Sequence, residues 1–159
     1  MITKKQEKDL FRPLSNYDII DYGKKKNISI ECVAKDQLQQ IKPLKNNQAV
    51  VINLDDIDSK NGGTHWVCLL YKKKTMFYYD PFGITDIAPD ILKYIRRHKG
   101  DCYTTSEQNQ HIESNKCGWY CLAIINSCIG NRKMTYQEYM DLLYDMPRPY
   151  NEYIIFCLI

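Results

Sequence analysis

The segment CGWYCLAIINSCIG, residues 117–130, is apolar on nearly every helical face. A surface helix has one apolar stripe and one polar face, whereas a helix that is apolar all round must be enclosed by other elements. Gly130 is placed to close it. The fold must therefore put this helix at its centre and cover it with the remaining segments. At 159 residues the chain has enough material for one core, and a single domain over residues 1–159 is expected.

The covering segments are legible in turn. LSNYDIIDYGKKKN (14–27) reads as a helix with Ser15 or Asn16 as its cap, Asp18 in the first turn and lysines in the last. AKDQLQQI (34–41) adds one helical turn, stopped by Pro43. NQAVVINLDD (47–56) is a buried strand. GGTHWVCLLYKK (62–73) and TMFYYDPFG (75–83) form a hairpin over a lysine-rich turn. APDILKYIRRHKG (88–100) is a helix with Pro89 at its first position and Gly100 beyond its end. DCYTTS (101–106) is a further strand, and TYQEYMDLLYDM (135–146) a helix opened by a Thr135–Glu138 capping box and ended before Pro147. The apolar tail YNEYIIFCLI (150–159) fits either a last strand or a docked segment. Strands in the middle with helices around them make an α+β domain.

Charge and cysteine usage exclude several classes. A net charge of +3 is too small to argue for nucleic-acid binding. No stretch approaches the ~20 apolar residues that span a bilayer. MITKKQEKDLF has charges where a secretory signal needs its apolar core. An intracellular, reducing setting is therefore expected, with no membrane partner. Seven cysteines without paired CxxC spacing, and three histidines without HExxH, argue against a disulfide framework, a metal or any cofactor.

One constellation could carry chemistry. With the hairpin turn near residues 72–74, His65 and Asp80 come directly opposite each other or one step off register. Cross-strand neighbours lie about 5 Å apart, close enough for a carboxylate to orient an imidazole. Such a pair beside a thiol makes a nucleophile. Cys117, at the start of the buried helix and followed by Gly118, is the candidate, since a helix start favours a thiolate. Cys68, Cys121, Cys128 and Cys157 lie in apolar segments and read as core residues. Gln110 could offer its amide to an oxyanion, with backbone N–H groups at the helix start as further donors. Gly118 leaves room for a substrate backbone beside the sulfur. His111 has no acid placed to orient it, His98 reads as a helix C-terminal charge, and Asp86 and Glu113 do not face His65 across the hairpin.

The blocks GGTHW (62–66), YYDPFG (78–83) and Gln110 followed by CGWYC (117–121) together resemble the adenovirus maturation protease family. More widely they resemble the clan that holds SUMO-specific proteases and the processing proteases of large DNA viruses and virophages. The likeness covers residues 48–130 most closely, and the upstream segments look like the leader of virophage-type members. It implies a papain-like cysteine protease variant with a central mixed sheet flanked by helices and the catalytic cysteine at the N-terminus of a buried helix. His65 then matches the general base, Asp80 the orienting acid, Gln110 the oxyanion donor and Cys117 the nucleophile. Trp66 matches the aromatic beside the histidine and, with Gly118, would contact substrate. Adenovirus proteases have Glu where Asp80 stands, and SUMO proteases have Asp.

The resemblance further implies an endopeptidase cutting after Gly-Gly-X or Gly-X-Gly motifs in capsid or core precursors, working as a monomer in the virion and host cytoplasm. Adenovirus proteases gain activity from DNA and from a peptide that forms a disulfide upstream of the glutamine. Cys102 lies in a comparable place and reads as a structural thiol. Two alternatives stay open: an isopeptidase acting on a ubiquitin-like modifier, and a binding module that kept the fold without the chemistry.

Overall fold

In β2 (Gln48–Asn53) and β3 (Trp66–Lys72) successive side chains point to opposite sides of the sheet, and both sides are apolar. Strands of this kind belong in the middle of a two-faced sheet, and both lie there. The structure, a computed structural model, describes residues 12–55, 65–110, 114–145 and 151–159. Its sheet runs β1 (Ser29–Ala34), β2, β3, β4 (Thr75–Tyr79), β5 (Asp101–Thr104) in spatial order. The outer pairs β1–β2 and β4–β5 are parallel, and the inner pairs β2–β3 and β3–β4 antiparallel. Parallel pairing requires a crossover. A 3-10 helix, Lys35–Gln40, lies between β1 and β2, and helix α2 (Pro89–Ile95) between β4 and β5.

The period of two sorts the core into two layers. Ala49, Val51, Cys68, Leu70, Phe77 and Tyr79 face helices α1 (Asn16–Lys26), α3 (Cys117–Cys128), α4 (Tyr136–Tyr144) and α5 (Asn151–Leu158). Val50, Ile52, Val67, Leu69, Met76 and Tyr78 face Leu38, Leu44 and the α2 residues Ile91 and Tyr94. Helix α3 lies in the larger layer with ten of its residues buried, as an all-apolar helix must. Lys72 Nζ reaches its far end and donates to the carbonyls of Cys128 (2.8 Å) and Met134 (3.0 Å).

The caps follow the residue chemistry. Ser15 and Asp18 form a capping box at α1, and Thr135 and Glu138 form another at α4. Other expectations need correction. The helix predicted over 88–100 stops at Ile95, and the strand over 101–106 stops at Thr104. The tail is a helix, not a strand, and Cys157 on it is exposed, so it is no core residue. Cys102 is also exposed, on the edge strand β5, so it is not a packed structural thiol. His98 is no helix-end charge: its Nε2 accepts the Leu44 N–H at 2.7 Å, and burial lowers its pKa, so the ring is neutral. Expectations that fall on residues 1–11, Gly62, Gly63, Thr64, His111, Glu113 and Pro147 lie outside the described residues.

Candidate active site

Lys72 pairs with Thr75 around a two-residue turn in which Lys73 and Lys74 both take positive φ. That turn matches the twist of a tight hairpin, and it fixes the register. Cys68 pairs with Tyr79, so His65 and Asp80 stand just beyond the paired ends of β3 and β4. Continuing the register sets Asp80 opposite Val67, two positions from His65, where the sequence suggests one at most. The diagonal is nevertheless closed: His65 Nε2 and Asp80 Oδ1 are 2.7 Å apart and both side chains are buried. The same carboxylate oxygen accepts the Phe82 N–H at 2.8 Å. The Phe82 ring stacks on the imidazole at 4.4 Å and 16°. Nothing in the residue pattern singled Phe82 out, although it stands within the YYDPFG block.

Because the carboxylate accepts, Nε2 carries the proton and Nδ1 is the nitrogen left to face a thiol. Nδ1 is buried and has no other hydrogen-bond partner among the described residues. Burial disfavours the charged ring, but hydrogen bonding and charge from Asp80 and Cys117 outweigh it and push the His65 pKa up to about 9. Cys117 is the first residue of α3 and is 6% exposed. Its Sγ accepts the Trp66 backbone N–H at 3.3 Å, which joins the sulfur to the residue next to His65. Burial pushes the Cys128 thiol up to about 12 and raises that of Cys121 well above its ordinary value.

Gln110 arrives by a separate route. The Pro81 carbonyl, next to Asp80, accepts the N–H groups of both Asn109 and Gln110 at 2.9 Å. Tyr79 Oη donates to Asn109 Oδ1 at 2.8 Å, and Gly83, at φ 72°, lets this loop close on the backbone of Glu107. The Gln110 side chain is fully buried, and its Nε2 donates to the Ser114 carbonyl at 2.9 Å. His65, Asp80, Gln110 and Cys117 are thus gathered at one end of β3 and β4. Asp86 is exposed and forms no part of the group.

Trp66 and Gly118 play packing roles that the sequence did not suggest. Trp66 is 8% exposed and donates from Nε1 to the Leu14 carbonyl at 3.1 Å. Trp119 Nε1 donates to the Arg12 carbonyl at 2.7 Å. A Cβ on Gly118 would meet Leu14 at 3.1 Å and Trp66 at 3.3 Å. Leu14 and Trp66 thus occupy the direction a side chain at position 118 would take. Leu14 was not foreseen as part of this corner.

Comparison with known proteins adds a fold. No protein-family model matches the chain, and no curated protein matches it either. Among solved structures, the ASFV pS273R protease aligns at 15% identity with a TM-score of 0.60, covering 88% of this chain and 64% of that one. Its selenomethionine crystal aligns at 14% identity and a TM-score of 0.56, covering 81% of this chain and 62% of that one. The SUMO protease Ulp1, with its catalytic cysteine oxidized to a sulfinic acid, aligns at 18% identity and a TM-score of 0.47, covering 87% and 77%. The chain thus spans less than two thirds of the pS273R protease and has its fold: a mixed sheet flanked by helices, with Cys117 starting the buried one.

Proposed function

We propose that this chain is a thiol-dependent peptide hydrolase, with Cys117 as nucleophile, His65 as base and acid, Asp80 as the group that orients it, and Gln110 as oxyanion donor. The observation that carries the reading is the buried imidazole, with Nε2 committed to Asp80 and Nδ1 left for the thiol at the start of α3. The positions of these atoms support a stepwise reading. His65 takes the Cys117 proton on Nδ1, or holds it already as the cation of an ion pair with the thiolate, and the sulfur attacks the scissile carbonyl carbon. Charge develops on the carbonyl oxygen, where the second N–H of Gln110 and the backbone N–H of Cys117 are the donors. The tetrahedral adduct collapses as His65 returns the proton to the leaving amine. Water, deprotonated by the same ring, then releases the acid and restores the thiol.

Protein substrates follow from this chemistry. Cleavage after Gly-Gly-X or Gly-X-Gly in capsid or core precursors is the finer reading, and it rests on the motif resemblance. The test uses an internally quenched peptide with a central Gly-Gly-Ala. Cys117→Ala should abolish its cleavage, and cleavage that survives the substitution rules the nucleophile out. Iodoacetamide, applied to a Cys102→Ser/Cys157→Ser background that removes the two exposed thiols, should alkylate Cys117 first.

A further inference from the structure

The segment between Gln110 and Cys117 carries both an oxyanion donor and a nucleophile, so its shape must be held to a fraction of an ångström. What holds it comes from the C-terminal helix. Glu152, in the first turn of α5, accepts Ser114 Oγ–H on Oε1 at 3.0 Å and pairs with Lys116 Nζ on Oε2 at 3.1 Å. Lys116 N in turn donates to Ser114 Oγ at 3.3 Å. Both ends of the described segment before Cys117 are therefore tied to one carboxylate.

Exposed ion pairs contribute little because two mobile side chains must be ordered. Here the carboxylate is carried on an anchored element. Ile155 and Leu158 of α5 are buried in the core. Asn126 Nδ2 donates to the Leu158 carbonyl at 2.8 Å, and Arg132 donates to that of Cys157 at 2.9 Å. The link to the chemistry is the Ser114 carbonyl, which accepts from Gln110 Nε2. That bond also decides which way the amide points. Exchanging its oxygen and nitrogen would set two acceptors against each other. Gln110 Oε1 has no partner among the described residues, so among them the bond to Ser114 alone selects the orientation.

We propose that Glu152 is a positioning residue: through Ser114 it sets the Gln110 amide, the oxyanion donor in the hydrolase reading on which this inference rests. The C-terminal helix is then part of the catalytic apparatus without touching substrate. The full chain and the quenched Gly-Gly-Ala peptide provide the test. Loss of an oxyanion donor costs roughly 10²–10³ in kcat, so misplacing one through Glu152→Ala should lower kcat by about tenfold with KM within about twofold. Glu152→Gln keeps an acceptor for Ser114 and should stay within about threefold of wild type. In a Gln110→Ala background, Glu152→Ala should add less than about twofold, because the group it acts through is gone. Iodoacetamide alkylation of Cys117 needs no oxyanion donor and should keep its rate. Wild-type kcat in Glu152→Ala, or an equal loss with and without Gln110, overturns the proposal. If Glu152→Ala does not fold, Ser114→Ala makes the same test in both backgrounds. A wild-type chain without thiol-dependent cleavage overturns the hydrolase reading and this inference together. An active wild type with an indifferent Glu152 overturns this inference alone.

Discussion

Asp80 does two things with one oxygen, accepting from His65 Nε2 and from the Phe82 backbone. Its own turn thus holds the carboxylate on the ring, which explains how a residue two places off register still meets its partner. The expected consequence is a pH effect. His65 is raised to about 9, so its proton is present at neutral pH and lost as pH rises through that value. Cleavage by wild type should fall on the alkaline side with a midpoint near 9. Asp80→Asn removes the charge that helps raise the ring, so the alkaline limb should move to lower pH and kcat should fall by at least about tenfold. A pH–rate profile checks both, and an unmoved alkaline limb would mean that His65 is not the group titrating. The meeting of His65 with Asp80 and the place of Cys117 at the start of a buried helix were legible because chain geometry constrains both. Leu14, Phe82 and Glu152 were not, because they enter through backbone carbonyls, ring stacking and distant helix packing, which leave no local pattern.

Helix α3 and its two ends show what an element-scale reading captures. Its apolar faces demanded burial, and it is the most enclosed helix described. How its ends are satisfied depends on other elements. At the far end Lys72 supplies an ammonium to the carbonyls of Cys128 and Met134, where a cation also meets the negative end of the helix dipole. Lys72→Met keeps the apolar stem and removes both bonds, and should destabilise the protein by about 2 kcal/mol in urea unfolding. An unchanged midpoint would show that the lysine is only a solvated charge. The run Lys72-Lys73-Lys74 reads in sequence as one solvated turn. It divides because Lys73 and Lys74 form the turn, while Lys72, still paired in the strand, is half-buried over α3.

At the scale of the whole molecule, burial falls off steeply from centre to edge. β2 and β3 have strands on both sides and helices on both faces, whereas all four residues of β5 are exposed. Amide exchange should follow this gradient: β2, β3 and α3 should exchange only by global unfolding, and β5 should open with much smaller free energy. Equal protection of β3 and β5 would contradict it. The architecture was legible in outline because the continuous apolar runs within 47–53 and 66–79 identify strands with two apolar faces. The tail was not, since an apolar run of this length suits strand and helix equally until its partner is known. That partner is α3, whose Asn126 ties down its last turn.

Both tryptophans of the chain, Trp66 and Trp119, hydrogen-bond through their indole nitrogens to the carbonyls of Leu14 and Arg12. Every intrinsic fluorophore of the long-wavelength band is therefore fastened to the same three residues, one of which packs on Gly118 beside Cys117. The protein carries a built-in optical gauge. Its tryptophan emission reports the seating of the Arg12–Leu14 segment, and a shift to the red would register that segment lifting from the sulfur's neighbourhood before the sheet melts.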